Sequence, residues 1–186
     1  TGTLSFSGGS FVGPVYVNGG SLSVASTAGA QTILVQGAST LLSNDSTAAT
    51  VWVQGNSNAG GATLSIPGNV TNSGTIRMES IDSSWNETLN IGGVLTNAAT
   101  GVIQSNAGTG GSRLITGNID NSGTINTSVA LTAGASGKTF NQLAGTVTAS
   151  GSGSFTWSTG TMNFSGGSFV GSVYVNGGSL SVASTA

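Results

Sequence analysis

VYVNGGSLSVASTAGAQTILVQGASTLLSNDSTAATVWVQG, residues 15–55, carries one short pattern three times. Val15-Tyr-Val-Asn-Gly19, Ile33-Leu-Val-Gln-Gly37 and Val51-Trp-Val-Gln-Gly55 follow at steps of 18 residues. Each opens on a β-branched alternation of period two, the signature of an extended strand. Each closes on Asn-Gly or Gln-Gly, and Gly and Asn tolerate the positive φ of a sharp corner. The same tripeptide at the same place in each step predicts stacking of like on like. That favours a parallel coil over an antiparallel sandwich of short strands. The alternation sets Val15, Val17, Ile33, Val35, Val51 and Val53 inward on three coils. Tyr16, Leu34 and Trp52 then form one outward column, about 4.8 Å apart from coil to coil.

Further along, the step changes length. Thr63-Leu-Ser-Ile66 returns as Thr88-Leu-Asn-Ile91, 25 residues on. Thr71-Asn72, Thr96-Asn97 and Asp120-Asn121 recur at 25 and 24. The expectation is that Asn72, Asn97 and Asn121 are buried at corners and stack into a side-chain ladder. Gly145-Thr-Val147, Gly160-Thr-Met162 and Gly178-Ser-Leu180 are spaced by 15 and 18. No apolar 3.6-residue period survives the Gly density. The fold expected is all-β: a parallel β-solenoid, or β-helix, of about eight coils per 158-residue repeat. At ~4.8 Å per coil that rises roughly 38 Å.

The 158-residue period is visible directly. Residues 1–28 and 159–186 match at 25 of 28 positions, differing at Leu4/Met162, Ser5/Asn163 and Pro14/Ser172. We read 1–158 as one complete tandem repeat and 159–186 as the start of the next. Thr1 and Ala186 both fall inside the pattern, with no charged or Pro-rich cap beside them. The partners expected are therefore neighbouring repeats, or identical subunits, stacked end to end.

Composition narrows the function. Gly, Ser, Thr and Asn fill 103 of 186 positions, while charged residues are 4%. There is no His and no Cys, which removes thiol nucleophiles, His bases, thiolate metal sites and disulfides. Three Lys plus Arg cannot neutralise a phosphate backbone, so no nucleic-acid partner is expected. No apolar run reaches the length of a transmembrane helix. Four charges gather in 77–87: Arg77, Glu79, Asp82 and Glu87. The expectation there is a solvated loop rather than a cation or sugar site. One step of 25 from these positions reaches Val102, Gln104, Ala107 and Ser112, none of which completes a catalytic or metal-binding set. Asp120 and Lys138, 18 apart, are candidates for a weak pair between coils. No enzyme and no cofactor is expected.

The segment Gly8-Gly-Ser-Phe-Val-Gly13 … Val15-Tyr-Val-Asn-Gly-Gly-Ser-Leu-Ser-Val24, repeated at 166–182, resembles the autotransporter-associated β-strand repeat. Gly68-Asn-Val-Thr-Asn-Ser-Gly-Thr-Ile76 and its surroundings, 66–128, are similar to coils of filamentous-haemagglutinin-type secreted proteins. The resemblance implies a bacterial secreted β-helix at the cell surface, serving as a fibre, stalk or filament. The second reading is an adhesin module that binds carbohydrate or another surface. The residues expected to make lateral contact between fibres are Tyr16, Leu34, Trp52 and Tyr174, the last reproducing Tyr16 in the next repeat.

Overall fold

The computed structural model describes residues 2–184, so Thr1 and Ala186 lie outside the described residues. It contains 21 strands and, among the described residues, no helix. Strands pair in parallel with strands one coil away. The chain is a β-solenoid.

An eight-stranded sheet is built from Val15–Asn18, Gln31–Gln36, Ala49–Val53, Thr75–Met78, Val102–Ser105, Thr124–Thr127, Thr146–Ala149 and Ser168–Val170. The second sheet has 13 strands and turns a corner. Ala38–Asn44, Glu87–Asn97 and Arg113–Asn121 pass round that corner, pairing through their first residues on one side and their last on the other. Each coil thus has up to three sides. We call the side that begins with Thr3–Phe6 and Ser21–Val24 the spine. It continues through Val70–Asn72, Thr139–Gln142 and Thr161–Phe164 to Ser179–Val182. The third side runs from Ala62–Ile66 through Ala130–Ala133 and Ser154–Trp157 to Val173–Val175.

The spine makes eight successive pairings, hence eight turns. Seven of them separate Thr3–Phe6 from its copy Thr161–Phe164. The recurring leucines mark different sides as the chain climbs. Leu4, Leu22 and Leu41 stack on the spine, whereas Leu64 and Leu89 stack on the third side.

The interior follows the period-two alternation. Val17, Ile33, Val35, Val51 and Val53 are buried, and Val15 packs against the same core. Their register is direct: Val15 pairs with Ile33 and Val17 with Val35, then Ile33 with Val51 and Val35 with Val53. Farther along, Phe140 packs tilted against both Phe155 and Trp157, at 5.2 and 5.8 Å between ring centroids. Full burial of such a side chain contributes roughly 1.5–3 kcal/mol.

The corner between the spine and the eight-stranded sheet is polar inside. Asn44 donates to Asn72 at 2.5 Å, Asn72 to Asn97 at 2.7 Å and Asn97 to Asn121 at 2.8 Å. Asn121 then donates to Gln142 at 2.8 Å. All five amides are fully buried. The ladder is longer than the three asparagines with near-constant spacing, taking in Asn44 and Gln142 at its ends. Beyond it the same column is apolar, with Val24 and Phe6 below and Phe164 and Val182 above. Among the described residues positive φ is confined to Gly. The corner asparagines serve through their side chains, not through a left-handed backbone.

Two substitutions test this packing by urea unfolding followed by circular dichroism. Val35→Asp places an unpaired charge between Val17 and Val53 and should cost about 3–5 kcal/mol. Asn97→Ala leaves the Asn72 donor and the Asn121 acceptor buried without each other's bridge, and should cost about 2–5 kcal/mol. Asn58→Ala, on an exposed loop, should change stability by under ~0.5 kcal/mol.

Candidate functional site

The outward column begins as the alternation requires. Tyr16 stacks on Leu34, and Leu34 on Trp52, in direct register. Exposure is uneven along it: Tyr16 is 57% exposed, Leu34 only 9%, and Trp52 is half-buried. The next member is Arg77, whose guanidinium lies 4.0 Å from the Trp52 ring centroid. That is a cation–π contact. The Trp52 indole N–H also donates to the Glu79 carbonyl at 3.1 Å. Above Arg77 the column turns polar through Gln104, Asn126 and Thr148. Tyr174 is 51% exposed but stands on the third side, over Thr156. Tyr16 and its copy thus belong to different sheets.

Charge collects beside this column. Loops 54–61, 79–86 and 106–112 leave the eight-stranded sheet on three successive coils and stack on one another. Asp82 accepts two hydrogen bonds from the Ser57 N–H, at 2.8 and 3.0 Å. Glu79 takes Arg77 at 2.5 Å and the Asn106 amide at 2.8 Å through the same oxygen. Ser80 donates to the Gly110 carbonyl at 2.7 Å. Arg77, Glu79 and Asp82 are therefore spent on cross-coil contacts. Among the described residues no cluster of acidic, His or Cys side chains could hold a metal ion.

Glu87 is not in a solvated loop. It opens a strand, is fully buried, and pairs with Arg113 at 2.5 Å. The Gly55 N–H donates to its other oxygen at 3.1 Å. A Cβ on Gly55 would stand 2.4 Å from that oxygen, so only Gly fits. Arg113 spends its remaining donors on carbonyls of Asn106, Ala107, Gly110, Ser112 and Met78. It thereby pins loop 106–112 to the end of the strand below. The register explains why a step of 25 missed the pair. Glu87 lies over Arg113, 26 on, while Val94 lies over Asn118, 24 on, across an irregularity. Parity carried the available signal: Glu87 and Arg113 share the inward phase of Leu89 and Ile115. Asp120 does not meet Lys138. It lies over Asn141 and accepts from that amide at 2.7 Å.

Burial pushes the Glu87 carboxyl up from 4.5 to about 7, against the pull of Arg113. The same burial lowers Arg113 from its usual range. A folded value above the unfolded one favours the protonated folded state. The stability so gained is complete below about 4.5 and lost as pH rises through about 7. The urea midpoint should therefore be higher at pH 5 than at pH 8, and Glu87→Gln should flatten that difference. Arg113→Met should cost about 3–5 kcal/mol and loosen loop 106–112 to proteolysis. Compared with family models, with curated proteins and with solved structures, the chain shows no match.

Proposed function

We propose that this sequence is a structural repeat of a secreted, cell-surface fibre, stalk or filament, of the kind its likeness to autotransporter and haemagglutinin β-helices implies. One observation carries the reading. The second copy, from 159 onward, continues the solenoid on the coils before it, strand upon strand. A sequence that can follow itself in register is suited to extension. Its working property is length, not chemistry, and no catalytic group is assigned. The apolar interior is continuous along the eight turns, which suits a stiff rod.

Lateral association between rods is the partner contact proposed, at Tyr16 and Tyr174, with Leu34 and Trp52 as the partly covered continuation of the column. The second reading, a carbohydrate- or surface-binding adhesin, is favoured by the half-exposed phenol rings of the same two residues. Aromatic rings serve either purpose.

The fibre reading is tested by contour length. Chains with one added copy of residues 1–158 should lengthen by roughly 34 Å in electron micrographs, seven coils at ~4.8 Å. A compact particle would overturn it. Tyr16→Ser with Tyr174→Ser should abolish side-by-side bundling while the β signal in circular dichroism stays intact. Unchanged bundling removes these residues as the contact. Loss of glycan retention with unchanged bundling would favour the adhesin.

A further inference from the structure

Near-identical segments are held differently at the two ends of the chain, and the difference defines a binding surface. Val15–Asn18 pairs with Gln31–Gln36, the coil that follows it, in the eight-stranded sheet. Its copy Val173–Val175 pairs with Ser154–Trp157, the coil that precedes it, on the third side. Thr3–Phe6 pairs only with the following coil, whereas its copy Thr161–Phe164 pairs on both edges. Ser168–Val170 is a strand on Thr146–Ala149, while the equivalent residues 10–12 form no strand.

The glycines record the same asymmetry. A Cβ at Gly166 would meet the Leu143 carbonyl oxygen at 2.4 Å, and one at Gly171 the Ala149 oxygen at 2.1 Å. At the equivalents Gly8 and Gly13 there is open space, the nearest atom to Gly8 lying 3.9 Å away. Gly13 has a positive φ that calls for Gly by itself. Gly8 has none. Its glycine is explained only by a coil lying beneath it, as one lies beneath Gly166.

The surface is already shaped. The ring pair Phe6–Phe11, 5.1 Å between centroids, matches its copy Phe164–Phe169 at 5.0 Å. A groove of about 310 Å³ opens at the first coil, lined in part by Leu4, Tyr16, Val17 and Gly20. In the second copy the equivalent residues cover Trp157. Val175 pairs with it, and a Cβ at Gly178 would stand 3.3 Å from its ring.

We propose that the under-surface of the first coil is the seat for residues 139–157 of a preceding copy of this sequence, with Trp157 filling the groove. This rests on the fibre reading and adds a specific joint to it. Val15–Asn18 then holds both pairings at once, one on each edge. The third side of one repeat runs unbroken into the eight-stranded sheet of the next. The eight-stranded sheet of the earlier repeat ends at its copy of residues 10–12, and a new third side opens at Ala62–Ile66, over Ala38–Thr40. Only the spine keeps its place.

The test uses a chain in which residues 1–158 precede the whole 186-residue sequence. The protein has no native Cys, so introduced pairs report cleanly. Adjacent strands place facing Cα atoms about 4.8 Å apart, within disulfide reach. Tyr16→Cys in the second copy should crosslink to Thr156→Cys in the first, and in a separate variant to Leu34→Cys in its own copy. Gly8→Ala should lower the melting temperature by several degrees in the second copy and leave it unchanged in the leading copy. A chain that lengthens by one repeat but forms only the 16–34 crosslink, or tolerates Gly8→Ala equally in both copies, overturns the joint and leaves the fibre standing. A chain that does not lengthen overturns the fibre reading itself.

Discussion

Every feature of this molecule depends on coil-to-coil backbone pairing in parallel register. Each strand offers its N–H and C=O groups to the coils above and below, so parity must agree from one coil to the next. A one-residue slip would turn the whole inward set outward. Val17, Val35 and Val53 lie in one stack because their backbones are paired, and Tyr16, Leu34 and Trp52 share the opposite phase for the same reason. With charged residues at 4%, long-range electrostatics contribute little to choosing the fold. Hydrogen-bond register and apolar burial decide it.

Where charge does enter the interior, it is handled locally. Glu87 and Arg113 are shut in together, each with backbone partners besides the other. Such a pair commonly adds little net stability over an apolar substitute, because desolvation offsets attraction. Its evident effect here is positional. Arg113 gathers five backbone carbonyls and so fixes where loop 106–112 leaves the coil.

Much of this was legible before any coordinates. The three motifs set 18 residues apart placed six inward residues correctly, and the spacing of Asn72, Asn97 and Asn121 announced the ladder. What stayed hidden came from uneven coil length. Asn44 lies 28 residues before Asn72, and Gln142 lies 21 after Asn121, so no single step reaches both. The Glu87–Arg113 pair was lost to a local change from 26 to 24 within one strand pairing. Leu4, Leu22 and Leu41 stack on the spine but Leu64 and Leu89 on the third side for a related reason: a residue type can keep its period while the corner moves beneath it. That Val15–Asn18 and Val173–Val175 sit in different sheets is invisible in sequence, since the segments are alike and only their neighbours differ.

The amide ladder has a direction. Asn44, Asn72, Asn97 and Asn121 each donate toward the later coil, and Asn72, Asn97, Asn121 and Gln142 each accept from the earlier one. Along the ladder the aligned amides give each coil two chemically unlike faces, one presenting an acceptor and the other a donor. The ladder stops short of both ends of its column, where Phe6 and Val24 lie on one side and Phe164 and Val182 on the other, so this polarity is held inside the rod.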